Sequence, residues 1–129
     1  MNNIEKFQDA LIGCQLIKLD DEYMIVKMPS GELITFEFTL DQGDCCGYAE
    51  ITNTLLYASS DKNNPVITKV ERDEDSDGCS ETVVLTLFGI DKDLATVKTT
   101  CGSGSGWCYG ATVSVQCKPL NICETICGW

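Results

Sequence analysis

Ile34-Thr35-Phe36-Glu37-Phe38-Thr39-Leu40 decides the architecture, because apolar and polar side chains alternate along it without a break. Successive side chains of an extended chain point to opposite sides, so Ile34, Phe36, Phe38 and Leu40 share one face and Thr35, Glu37 and Thr39 the other. A helix would scatter them. Pro29-Ser30-Gly31 supplies turn chemistry that joins this run to Tyr23 to Met28, giving a hairpin with one wet face. The period of two recurs downstream. Val83, Leu85 and Leu87 alternate with Thr82, Thr86 and Phe88, and Ala111, Val113, Val115 and Cys117 with Thr112, Ser114, Gln116 and Lys118. Tyr48 to Leu55 and Val66 to Val70 add strands, joined by the polar stretch Ala58 to Asn64, which has room for a helical turn. Only the start of the chain differs: Ile4, Phe7 and Leu11 recur at helical spacing, with Glu5, Lys6 and Asp9 elsewhere, and predict a short helix over 4–12.

The expected class is α+β, mainly β: an antiparallel sheet of about six to eight strands with one short N-terminal helix. A length of 129 residues and 43% hydrophobic content suit one domain with a real core. Its expected organisation is a helical cap over 1–12, a sheet body over 13–118 and a Cys-rich tail over 119–129. Met1 to Phe7 has neither a basic region nor a long apolar one, and no apolar run approaches the ~18 residues of a membrane span, so the chain reads as cytoplasmic.

Two stretches carry a resemblance. Gly31 to Ile51 runs strand, acidic turn, Asp44-Cys45-Cys46 and strand, and Leu94 to Val115 runs strand, Gly/Ser-rich loop with aromatics, and strand. Together they resemble a family of small uncharacterised bacteriophage and prophage proteins that carry an Asp-Cys-Cys motif after an early hairpin. Gly47 stands where that pattern has an acidic residue. The resemblance brings no assigned activity; it implies phage-like origin, a host cytoplasm and an accessory or anti-defence role.

Histidine is absent and cysteine is abundant, at nine residues. Without imidazole there is no Ser-His-Asp or Cys-His relay and no histidine ligand, which leaves thiolates, carboxylates, Lys and Tyr. A nucleophilic thiol needs a nearby cation, base or helix N-terminus, whereas Asp44 beside Cys45 opposes thiolate formation. No enzyme activity is expected. Zinc knuckles space two cysteines by two residues, and no such spacing occurs here. If Leu94 to Val115 forms a hairpin, Cys101 faces Tyr109 and Cys117 faces Asp93, roughly 26 Å apart at ~3.3 Å per residue. A zinc site would then need Cys117, Cys123 and Cys127 with a ligand from Cys45, Cys46 or Cys79. The alternative is that these are buried thiols, and no cofactor is the expected state.

Asp73-Glu74-Asp75-Ser76-Asp77-Gly78 matches the first half of a calcium loop, but Val84 occupies the position of its bidentate Glu. The alternative is a solvated acidic loop between Val70 and Thr82. Cys101-Gly102-Ser103-Gly104-Ser105-Gly106-Trp107 lacks the Lys of a phosphate loop and reads as a hairpin tip. There Trp107 and Tyr109 either meet a partner or fold back onto the sheet.

A net charge of −11, from 20 acidic and 9 basic residues, opposes direct binding to nucleic acid and favours a partner with a basic surface. The expected function is therefore a non-catalytic inhibitor of a host protein, such as a nucleic-acid-handling immune complex, acting as a nucleic-acid mimic. Its expected contact residues are Asp41, Asp44, Asp73, Glu74, Asp75, Asp77, Trp107 and Tyr109. The competing reading is a binding module or sponge for a nucleotide signal, in which a homo-oligomer pools Lys69, Arg72 and Lys98, against which the single arginine counts.

Overall fold

The computed structural model describes residues 4–41, 47–56, 65–76, 78, 80–90, 92–103 and 111–128. Among them one helix, α1 (Glu5–Leu11), is followed by nine strands: β1 (Gln15–Leu19), β2 (Tyr23–Lys27), β3 (Leu33–Asp41), β4 (Gly47–Leu55), β5 (Lys69–Ser76), β6 (Ser80–Phe88), β7 (Asp93–Ser103), β8 (Thr112–Cys117) and β9 (Ile122–Gly128). All pairings between these strands are antiparallel, and they form two sheets, one ordered β1-β2-β3-β8-β9 and the other β4-β7-β6-β5. The mainly β class with one short helix holds. No described helix is long and apolar enough to cross a membrane.

The alternating residues do what their period requires. Ile34 and Phe36 are fully covered while Thr35 and Glu37 are exposed, and Val83, Leu85 and Leu87 face inward from the other sheet. Together with Val97, Val113 and Val115 they belong to one hydrophobic core shared by both sheets. At the β2–β3 turn Gly31 takes φ +94, a left-handed conformation that the absence of a Cβ makes cheap. The solvent face of the four-stranded sheet is rich in threonine: Thr82 sits beside Thr100, with their hydroxyls 3.4 Å apart, and Thr86 beside Thr96. Such cross-strand pairs suit a half-wet pleated surface.

Helix α1 buries Phe7 and Leu11, together with Ile4 just before it. The Phe7 ring meets Phe36 edge-on at 5.2 Å and Phe38 at 6.3 Å, which places the helix on the inner face of the five-stranded sheet. Its N-terminus has no side-chain cap of its own. Instead Glu124 on β9 accepts the Phe7 N–H at 2.8 Å, so a carboxylate from a distant strand satisfies one of the donors a helix start leaves open.

Three expectations change. The Cys-rich stretch read as a tail contains β9, an edge strand that adds Ile122, Ile126 and Cys127 to the core. The hairpin drawn between β7 and β8 does not form, because β7 pairs with β4 and β6 while β8 pairs with β3 and β9. Segment 104–110, read as the tip of that hairpin, therefore joins strands of different sheets and lies outside the described residues, as does the Ala58 to Asn64 stretch. Finally, Val66 makes only an isolated bridge to Gln15, and β5 begins at Lys69.

Candidate functional site: an acidic end above a buried thiol pair

Register brings several strand termini together. Asp41, Thr112 and Gly128 adjoin at one end of the five-stranded sheet. In the four-stranded sheet Gly47 pairs with Ser103, Gly102 with Ser80, and Glu81 with Ser76. Cys101, near the end of β7, donates its thiol to the carbonyl of Cys127 on β9 at 3.5 Å, and this contact ties the two sheet ends to each other. The strand ends flanking Asp44, Asp77, Trp107 and Tyr109 are therefore close in space, although those four residues lie outside the described set.

Strand β5 is an edge of its sheet, paired only with β6. Its even residues face the core side: Val70 packs against the core, and Arg72 is largely covered and ion-paired with Glu74. The odd residues face solvent, with Lys69 and Glu71 paired at 2.6 Å and Asp73 and Asp75 exposed. Neither Asp73 nor Asp75 forms an ion pair among the described residues. Of the expected contact residues, then, Asp73 and Asp75 share a solvent face, Asp41 stands at the same end on the other sheet, and Glu74 is turned to the opposite face.

The calcium reading is overturned by this geometry. Asp73 to Ser76 are extended and hydrogen-bonded to β6, so Asp73 and Asp75, though on one face, stand about 6.8 Å apart along a strand and do not wrap an ion as a loop does; the solvated-loop alternative fails for the same reason. The strand continues because pairing with Val83 and Val84 outweighs the poor strand propensity of Asp and Glu.

The zinc set Cys117, Cys123 and Cys127 is likewise separated. Cys117 is buried beside Ile122 at one end of β8, Cys123 is exposed on the other face, and Cys127 is buried against Val113, four residues or about 13 Å along the strand from Cys117. No group of three or more metal-ligating side chains forms among the described residues.

A second acidic feature lies beside β3. A cavity of about 290 Å³ is lined by Asp21, Glu22, Glu37, Tyr23, Phe38 and Leu40. Its rim is held by the β1–β2 turn, where Asp20 accepts the N–H groups of Glu22 and Tyr23, each at 2.8 Å. These bonds, with that to Tyr23 leading, hold the Asp20 carboxyl below its usual range. Asp21 in turn accepts the Asn53 N–H at 2.8 Å, which closes part of the open edge of β4.

The cations of the nucleotide reading do not converge. Lys69 is on the solvent face over the Phe88 ring, whereas Arg72 lies on the core side with Glu74, and Lys98 is two strands away on β7.

Sequence reasoning missed the thiol pair. Cys101 and Cys127 are both fully buried, and the Cys127 thiol donates to the Glu81 carbonyl at 3.2 Å. The neighbouring Cys127 thiol, helped by burial, pushes Cys101 above the ordinary thiol range, while the Cys101 thiol beside it holds Cys127 below that range. Their only sequence signal was placement on inward-facing positions of β7 and β9, and β9 itself went unseen. Comparison of the chain with family models, with curated proteins and with solved structures finds no match.

Proposed function

We propose that the protein is a non-catalytic binding protein that engages a basic surface of its partner through its acidic end and the β5 edge. The shared solvent face of Asp73 and Asp75 on an edge strand, with Asp41 at the same end, supports this reading most strongly. On one solvent face Asp73 and Asp75 set two carboxylates about 6.8 Å apart, while Glu74 between them is turned to the opposite face. This paired negative charge on an open strand edge suits a basic partner, and the specific form of the proposal is a phage-type anti-defence inhibitor of a nucleic-acid-handling complex, acting in a host cytoplasm. The cavity lined by Asp21, Glu22 and Glu37 beside the exposed Tyr23 offers a Lys or Arg of the partner both charge and an aromatic face.

The test is capture of partners from host lysate at low and high salt, followed by the Asp73→Lys, Asp75→Lys double variant. A basic partner should be retained at low salt, be released at high salt, and bind the variant at least tenfold more weakly. A partner held equally by wild type and variant at both salts, or a nucleotide retained without any protein, would reject the reading.

A further inference from the structure

We propose that Cys101 and Cys127 are a reversible disulfide site that clips the two sheets together beneath the acidic end. Of the described cysteines they alone are in contact with each other. Cys14 donates its thiol to the Ala10 carbonyl at 3.2 Å, Cys117 sits at the far end of β8, and Cys123 is exposed on the opposite face. Cys101 and Cys127 come from different sheets, so no backbone ladder joins them. A disulfide there would join covalently two strands of different sheets, at residues 26 apart in sequence. In a reducing compartment the pair stays as two thiols, and it closes when a small-molecule disulfide is in excess.

Access comes from β9. That strand pairs only with β8, and its register shifts between Val113 and Ser114, so Ile126 is an extra residue beside Cys127. A bulged edge strand opens locally at far lower free energy than the core. The Cys127 thiolate, the better nucleophile of the two because its thiol is held low, attacks one sulfur of the external disulfide. Its S–S bond breaks, and the leaving thiolate takes up the proton that Cys127 released. Cys101 then attacks the Cys127 sulfur, expelling the second small thiol, which takes the Cys101 proton. Two protein thiols are oxidised to one disulfide, and one external disulfide is reduced to two thiols.

The experiment treats the folded, fully reduced protein with excess oxidised glutathione, quenches with acid, and maps cysteines by intact mass and peptide analysis. The expected product has lost two hydrogens through a Cys101–Cys127 cross-link, with a higher unfolding midpoint than the reduced form. Cys123→Ser should leave that cross-link unchanged, because the exposed thiol plays no part. Cys101→Ser should instead trap glutathione on Cys127. The proposal is overturned if Cys101 and Cys127 both remain as thiols at an oxidant concentration that modifies Cys123, or if either is found joined to another cysteine. The wild-type map decides this even where the serine variants fold poorly.

Discussion

Replacing Glu124 by alanine should unfold the helix cap without touching the helix sequence. The carboxylate accepts the Phe7 N–H at 2.8 Å, α1 has only seven residues, and Ile4 at its N-cap offers no side-chain oxygen. A lost cap costs about 1 kcal/mol, and removing negative charge from a helix N-terminus adds about 0.5 kcal/mol, so Glu124→Ala should lose ~1.5 kcal/mol. With a urea slope of ~1.5 kcal/mol per M for a domain of this size, the unfolding midpoint should fall by about 1 M. Glu124→Gln keeps an acceptor but loses the charge, so its midpoint should fall by about a third as much. Amide exchange localises the effect: Phe7 and Gln8 should lose protection, while Val113 and Val115 in the adjacent strand keep theirs. A Glu124→Ala midpoint within about 0.2 M of wild type, or an equal loss of protection across β8, would refute the cap.

Core truncation should be costly where two elements meet. Phe36→Ala removes the ring against which Phe7 packs at 5.2 Å and should cost about 3–5 kcal/mol by chemical denaturation, whereas Leu33→Ala, at a side chain 62% exposed, should stay within about 0.5 kcal/mol. Gly31→Ala meets no atom within 4 Å, so its expected loss of about 1 kcal/mol comes from the backbone at φ +94 alone and should appear in the same assay. Asp20 has a depressed carboxyl in the folded state, so its contribution is present above the unfolded value of ~3.9 and is lost as pH falls through the lower folded value. Stability measured from pH 5 down to pH 2 should therefore fall less steeply in Asp20→Ala than in wild type, and identical slopes would contradict the assignment.

Legibility followed the regularity of each strand. In β3, β6 and β8 the pleat runs unbroken, so the period of two survives into the sequence and their inward residues can be named from it. Strands β1 and β9 are bulged. In β1 the register shifts between Leu16 and Lys18, which puts Leu16 and Leu19 both inside at a spacing that looks helical. In β9 Ile126 and Cys127 are buried in succession, and Glu124 faces the helix, so apolar alternation disappears. The partition into two sheets was hidden for another reason. Strands adjacent in sequence usually pair, and nothing local in Leu94 to Val115 reports that β7 and β8 take other neighbours. The acidic end was therefore legible as residues and not as a place: Asp41 and Asp75 reach the same end of their two sheets only through the pairing of whole strands.

The acidity of β5 has a second physical use, and charge sign separates it from recognition. An open strand edge is a template for pairing with another chain, and charged side chains are one way of blunting it. The two edges of the four-stranded sheet differ here. On β4 the Asn53 N–H is taken by Asp21, and the Asn53 side chain in turn donates to the Asp20 carbonyl at 2.8 Å, so part of that edge is plugged by the other sheet. No such plug reaches Asp73 or Asp75 among the described residues, and protection there falls to charge. Protection needs charge of either sign, whereas a basic partner needs negative charge. Asp73→Asn with Asp75→Asn should therefore self-associate at high protein concentration in sedimentation runs, while Asp73→Lys with Asp75→Lys should stay monodisperse and still lose the partner. Equal loss of partner and of monodispersity in both variants would mean that β5 acts through its fold alone, and that its carboxylates carry no recognition.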